Sequence, residues 1–482
     1  MKKFIVLGFL YFLCSMFGQQ ISMDYLLENI IEHSLDNGLN WRVNTAFGIN
    51  DQRKIIKMDL GNYNYSKIFY DDESFSDSTD TELNIYSAYY LRFDKYLKPS
   101  GTLDYFINLN FKDNFSTWLH PRITSNGDHL DNYTGLPRTR RLGFNSGEVD
   151  LSGLGYFSNW LNIWYGRSRH NWGTIIGNNL PLSKESPSYE SLNINFDLNK
   201  YRFSYFHGFL ENINDFNRYI TGKGIEYTNK KNLLFSFQEI IIYSGLNRSL
   251  DFAYLNPIST HLDIELNDRD NDFDGYESQN AIWQMSFDYL LKKFFRISWN
   301  IAIDEFALDQ MSSDTLSSRN DYAYNIRFCY KNNFLIPSSL IFENIFISKY
   351  MFRHSRGENN FVLRNLPLGS NLGSNIDLKR VGIKFLYKDI YFIELFCGLK
   401  KIGQNSILNN PYSPNIFTGY DSSENLIRSD FISFKFGGFI KERMKIYSHF
   451  EFEKFNKELK NKLMVSIEFY FFKKTYKGKT WI

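Results

Sequence analysis

The residue types that could do chemistry concentrate in a few places. Between Trp160 and Ser183 the chain reads WLNIWYGRSRHNWGTIIGNNLPLS, which puts Arg167, Arg169, His170 and Trp172 in one short stretch. An indole face covers the apolar side of a sugar ring, and guanidinium and imidazole N–H groups serve its hydroxyls, so this combination suits carbohydrate binding in a loop folding over or into a lumen. A plainer reading makes Trp164 and Trp172 interfacial aromatics of a membrane protein and pairs Arg167 with a lumen carboxylate. A second set, Glu239, Arg248, Asp251, Asp304 and Glu305, mixes acids with an arginine. Two carboxylates flanking a bond could cleave a glycoside. Neighbours on a strand point to opposite faces, however, so Asp304 and Glu305 cannot share one substrate without a bulge. A lumen ion-pair network with Arg248 and Arg296 accounts for these acids more simply. Arg167, Arg169, His170, Trp172, Glu239, Arg248, Asp251 and Asp304 form the candidate ligand-binding set, and no catalytic residue is assigned.

Asp270-Asn271-Asp272-Phe273-Asp274-Gly275 has the alternating oxygens and glycine that open a calcium loop, but its last ligand position is Ala281 where a bidentate glutamate belongs. A solvated acidic loop is the preferred reading. The pairing of Ser125 with His129 lacks a third group to orient the imidazole. The histidines have no metal-ligand spacing, and no glycine-rich loop follows a strand and opens a helix, so neither metal nor cofactor is expected.

The elements that must position these residues are strands. Met1-Lys2-Lys3 and the apolar run Phe4–Phe17 have the form of a secretory signal, with cleavage after residue 18 or 19. No later segment is apolar for the length of a transmembrane helix. The chain is nevertheless 18% aromatic, a richness that suits a barrel with an aromatic outer face and a polar lumen. Lys and Arg (55) nearly balance Asp and Glu (53), which argues against a nucleic-acid partner. Alternation with period two is clean at Thr102–Lys112, where Leu103, Tyr105, Ile107, Leu109 and Phe111 share a face, at Arg296–Asp304 and at Leu463–Phe471. Short turns are expected at Lys98–Gly101, Phe157-Ser158, Leu198–Lys200, Asn229–Asn232, Lys292-Lys293, Lys331–Asn333, Lys388-Asp389 and Lys441–Arg443. Long polar stretches lie between them, near 113–145, 169–190, 211–221, 244–281, 307–320, 349–378 and 401–428. Short and long connections that alternate along the chain are the habit of outer-membrane barrels.

The expected architecture is all-β: a transmembrane antiparallel β-barrel of about eighteen strands in the bacterial outer membrane. Its first strand falls near Asn40–Gly48 and its last near Leu463–Phe472, with both ends in the periplasm. Residues 1–18 read as the signal peptide, 19–37 as a periplasmic segment with a short helix at Met23–Leu35, 38–472 as the barrel and 473–482 as a periplasmic tail. Cys329 falls on a polar face and Cys397 on an apolar one, so both are expected to be free.

The stretch Trp160–Ser183 resembles the G-R…W-G…L-S segment of the capsule assembly Wzi family. The similarity continues through Phe206–Glu211, Arg218–Ile220, Glu239, Tyr243–Gly245, Asn247-Arg248, Asp251–Pro257, Ile303–Glu305 and Leu366–Gly369 with Gly373. The resemblance implies an eighteen-stranded barrel that binds capsular or related surface polysaccharide and helps hold it on the cell, and it implies no enzyme. Surface polysaccharide, outer-membrane lipid and polysaccharide export machinery are the partners it suggests, for a monomeric protein. The chain departs from enterobacterial members in lacking an obvious three-helix N-terminal bundle. A diffusion channel for small solutes is the competing expectation, raised by the polar lumen faces.

Overall fold

The computed structural model describes residues 81–478, apart from the segments 112–113, 175–178, 268–278, 305–320, 333–337, 388–390, 415–425, 441–443, 456–457 and 473–475 and a few single positions. The signal peptide, the helix at Met23–Leu35, the strand near Asn40–Gly48, Glu305 and the aspartates of 270–274 lie outside the described residues.

The first half of the barrel is β1 (Thr81–Phe93), β2 (Pro99–Phe111), β3 (Phe115–Thr124), β4 (Phe144–Phe157), β5 (Leu161–Ser168), β6 (Tyr189–Leu198), β7 (Tyr201–Ile213), β8 (Phe216–Thr228) and β9 (Leu233–Leu246). The second is β10 (Gln279–Leu291), β11 (Phe295–Asp304), β12 (Asp321–Asn332), β13 (Ser338–Ile347), β14 (Ile376–Tyr387), β15 (Tyr391–Ile402), β16 (Ile427–Ile440), β17 (Met444–Phe455) and β18 (Glu458–Phe472). Each strand pairs antiparallel with its sequence neighbour, and β1 closes on β18 through Tyr86↔Phe472 to Phe93↔Val465. These eighteen strands leave no free edge. Tyr476–Gly478 of the tail extends the seam by pairing with Thr81–Leu83.

Alternation selects the faces. Along β11 the apolar Ile297, Trp299, Ile301 and Ile303 stay partly exposed while Arg296, Ser298, Asn300, Ala302 and Asp304 are buried. On β10 and β12 the pattern is the same, polar groups inward and aromatics outward. A sheet in water buries its apolar face; this one buries its polar face and shows its oily one, which only lipid makes favourable. Cys329 is buried toward the lumen, Cys397 is exposed on the outer wall, and both are free.

One end carries only short connections, at 112–114, 158–160, 199–200, 229–232, 292–294, 333–337, 388–390 and 441–443, and it also receives both ends of the barrel chain. The other end carries 125–143, 169–188, 247–278, 305–320, 348–375 and 403–426, together with three short links, 94–98, 214–215 and 456–457. Three expectations change. The strand β3 lies within the stretch expected to be loop from 113 onward, and it contributes to a count of eighteen that needs no strand near residue 40. The turn expected at Lys98–Gly101 stands at the long-loop end, because β1 precedes it and Pro99 and Gly101 already belong to β2. Residues 211–221 form a tight hairpin, not a loop: Asn214 and Asp215, at φ 50° and 67°, supply the left-handed turn that joins β7 to β8.

Candidate functional site

The lumen is not an open pipe. Loops 169–188, 348–375 and 403–414 fold inward and bring Trp172, Leu180, Leu182, Met351, Phe352, Phe361, Val362, Leu363, Leu368 and Ile407 into one buried cluster. It packs against inward residues of the wall, Ile240, Ile242, Ile282, Ala302, Ala323, Ile345 and Ile347. Polar clasps fix the loops. The Arg218 guanidinium, fully buried on β8, donates to the carbonyls of Glu358, Asn360 (2.6 Å) and Val362 (3.0 Å) and pairs with Glu211 (2.5 Å). Asn300 on β11 accepts from the Thr174 amide at 3.0 Å and donates to Asn179, and Gln284 on β10 donates to the Trp172 carbonyl at 2.9 Å. Gly173, at φ +144°, lies so close to Asn179 and Asn300 that a side chain would collide with both.

The candidate residues divide between three places. His170 and Trp172 belong to the plug: the His170 ring stacks on Phe206 at 3.8 Å, sits 2.6 Å from Asn193 Oδ1, and is held by burial at a pKa of about 4. Trp172 is 2% exposed and meets Phe206 edge-on, so it is no interfacial belt residue. Asp304 closes the same region by accepting the Phe352 amide at 2.7 Å. Arg167 donates to Ser188 at 2.9 Å, and Ser188 in turn lies 3.4 Å from Asp150.

Arg169 reaches a charged cluster that sequence reasoning missed. It pairs with Asp150, which also lies 3.1 Å from Arg122 and 3.3 Å from the His120 ring. His120 in turn meets Asp104, and Arg122 meets Glu148, whose carboxylate accepts the Thr134 amide and hydroxyl at 3.0 Å each. The signal was legible as alternation: Asp104, His120 and Arg122 occupy inward positions of β2 and β3, but β3 was read as loop. This cluster forms one wall of a cavity of about 910 Å³. The cavity runs from Tyr96, Asp128 and Lys184 among the long loops down to Lys384, Glu394 and Glu468 on β14, β15 and β18, with Tyr90, Tyr447 and His449 along its side. Cations, carboxylates and aromatic faces lining one cleft can hold the hydroxyls and apolar faces of sugar rings together.

Glu239, Arg248 and Asp251 are not in the lumen. They lie on the outer face of β9 and on the connection that follows it. Glu239 accepts from the Trp283 indole (2.9 Å) and the His261 amide (3.0 Å), while Arg248 pairs with Asp251 at 3.0 Å and lies over the Tyr243 ring. The single lumen network expected for these acids therefore does not form. Arg296 pairs instead with Asp288, two bonds of 2.8 Å, inside the barrel.

A closed eighteen-strand barrel with an apolar outer wall, a polar lumen and short turns at one end is an outer-membrane protein of bacteria. Wzi of Escherichia coli, described as an outer-membrane protein involved in group 1 capsule assembly and a carbohydrate-binding β-barrel, superposes with a TM-score of 0.62 at 10% identity, over 95% of this chain and 99% of that one. Two Pseudomonas aeruginosa proteins, OccD3 and OprD, give TM-scores of 0.48 and 0.47 at 8% identity, over 81% and 85% of this chain and 91% and 100% of theirs. No family profile and no curated protein sequence matches.

Proposed function

We propose that the protein is a non-enzymatic outer-membrane barrel that binds capsular or related exopolysaccharide and helps to attach or assemble it at the cell surface. The observation that carries this reading is the division of the lumen. One side is filled by a docked, hydrogen-bonded plug, and the other is left as a cavity lined with charged and aromatic side chains that opens among the long loops. Such a cleft offers binding groups from facing walls, and the plug occupies lumen that a general channel would leave open. The E. coli barrel of similar fold is a carbohydrate-binding one, which agrees with this reading. Arg169, at the cavity wall, is the member of the candidate set placed to meet a glycan directly; His170, Trp172 and Asp304 act by holding the loop that presents it. The test is a glycan array with purified full-length protein, together with deletion of the gene. Retention of polysaccharide on deletion cells, with no binding on the array, would overturn the proposal.

One observation favours the diffusion-channel reading. The cavity reaches Lys384 and Glu394, close to the short-turn end, so a narrow path could cross the barrel. Single-channel recording in planar bilayers separates the two: a steady ohmic current in the wild-type protein supports the channel, and its absence supports the binding barrel.

A further inference from the structure

The connection after β9 does something the plug loops do not. Residues 247–267 turn outward and run down the membrane-facing wall, forming two short helical turns, α1 (Phe252–Leu255) and α2 (His261–Leu266). The Tyr254 ring stacks on outward-facing Tyr243 at 4.0 Å, and its hydroxyl donates to Gln279 on β10 at 2.5 Å. The Tyr205 hydroxyl on β7 donates to the Leu255 carbonyl at 3.0 Å, the Thr221 hydroxyl on β8 to the Tyr254 carbonyl at 3.4 Å, and the Lys223 ammonium to the Ser259 carbonyl. Glu239 accepts the His261 amide. Strand parity makes every one of these wall residues outward-facing. Their neighbours of the same parity, Phe203, Ile225, Phe235 and Phe237, are bare aromatic and aliphatic side chains, 39–43% exposed.

A hydroxyl, an ammonium and a carboxylate on the lipid side of a barrel wall are costly unless paired. Here the strap pairs them, and it shows the opposite chemistry on its own outer side: Phe252 is 83% exposed, Ile258 85% and Leu250 47%. The polar atoms of its lower bend are closed within the strap, Asn256 donating to Ser259 at 2.9 Å and accepting the Ile258 amide at 3.1 Å. We infer that the strap is embedded in the outer leaflet, where Leu250, Phe252 and Ile258 form a contact site for lipid acyl chains, continuous with the apolar band of Phe203, Phe235 and Phe237. The wall over β7–β10 is thus two layers thick, with a polar seam sealed between them.

The test uses the full-length protein in liposomes, with Cys329→Ser and Cys397→Ser as background. An environment-sensitive fluorophore is placed at Phe252→Cys, at Ile258→Cys and, as an aqueous control, at Asp128→Cys, which is exposed among the long loops. Heat-modifiable gel mobility reports the folded barrel in each variant. The expected result is loss of emission at 252 and 258 with nitroxide-labelled acyl chains and little loss with iodide, the control behaving in reverse. Iodide quenching at 252 and 258 equal to the control overturns the inference. Protection from both quenchers also overturns it, because it places protein and not lipid over the strap.

Discussion

The plug should be releasable by one substitution. Arg218 is the natural choice, because its guanidinium serves three carbonyls of loop 348–375, pairs with Glu211 and lies 5.3 Å from the centre of the Tyr412 ring. Hydrogen bonds to a charged group contribute about 1.5–3 kcal/mol each, though not additively. Removing one partner of a buried pair costs about 3–5 kcal/mol, and Arg218→Ala falls under that figure. At 1.4 kcal/mol per decade the open population of the loop should rise between about a hundredfold and a few thousandfold. Glu211 retains the Tyr412 hydroxyl at 2.7 Å and the Arg364 amide at 3.2 Å, so the barrel wall itself is not left with a bare charge. Trypsin reads the result: Arg353, Arg356 and Arg364 lie in the loop and should become cleavable in Arg218→Ala while gel mobility still reports a closed barrel. Planar bilayers should show current steps that the wild-type protein lacks. Arg218→Lys keeps the charge but loses the fork and should fall between. Unchanged trypsin resistance and conductance in a folded Arg218→Ala protein would refute the idea that this residue holds the plug.

Acid should loosen the same region. Burial lowers the pKa of His170 and His354, both in loops of the plug, to about 4 from an ordinary 6.5. The undocked loop therefore binds more protons than the docked one between pH 6.5 and 4, so docking is at full strength above that window and weakens as pH falls through it. Trypsin-like sensitivity measured with an acid-active protease should rise across that range in the wild-type protein and less in His354→Gln. Arg296→Ala strands Asp288 inside the wall and should lower barrel stability by about 3–5 kcal/mol, read as a lower temperature for the gel-mobility transition, whereas Arg380→Ala should cost less, because Arg380 is itself partly exposed and its buried partner Glu343 keeps a bond from Asn325. Finally, in liposomes a membrane-permeant maleimide should label Cys397 and spare Cys329, and a charged maleimide should label neither; reversed labelling would invert the assignment of lumen and lipid faces.

The barrel was legible because its rule is local. Period-two alternation set the faces at Arg296–Asp304, and the lengths of connections set which end was which, so the placement of Cys329 and Cys397 followed; the expected count of about eighteen included a strand near Asn40–Gly48 and left out β3. The rule also held in β3, where Ser116, His120, Arg122 and Thr124 are buried and alternate with an outer face of Phe115, Thr117, Leu119, Pro121 and Ile123, but that outer face is broken by Thr117 and Pro121 and the strand lies in a stretch that is polar on average. The register shift beside Pro121 belongs to β4, where Asp150 is the extra residue. With β3 went the cluster around Asp150, which is built from β2, β3, β4 and a loop and so has no contiguous signature. The plug was partly visible, since Trp172 and the arginines were placed on a loop entering the lumen. Its apolar content was not, because Met351, Phe352, Phe361 and Leu368 are dispersed through a stretch that is polar on average.

The most informative irregularity is Ile240-Ile241-Ile242-Tyr243. In a barrel wall with water on one side and lipid on the other, four consecutive buried apolar residues make no sense, because every second one would face the aqueous lumen. They are sensible if protein covers both faces. Ile240 and Ile242 face inward and meet the plug, while Ile241 and Tyr243 face outward and meet the strap. A strand buried on both sides reads as a continuous hydrophobic run, as a central strand of a parallel sheet does. The neighbouring acid follows the same logic: Glu239, on the outer face, is covered by the strap, whose His261 amide donates to the same carboxylate oxygen as the Trp283 indole. The interruption of alternation at this strand thus marks the place where an otherwise ordinary lipid-facing wall is held between two folded loops.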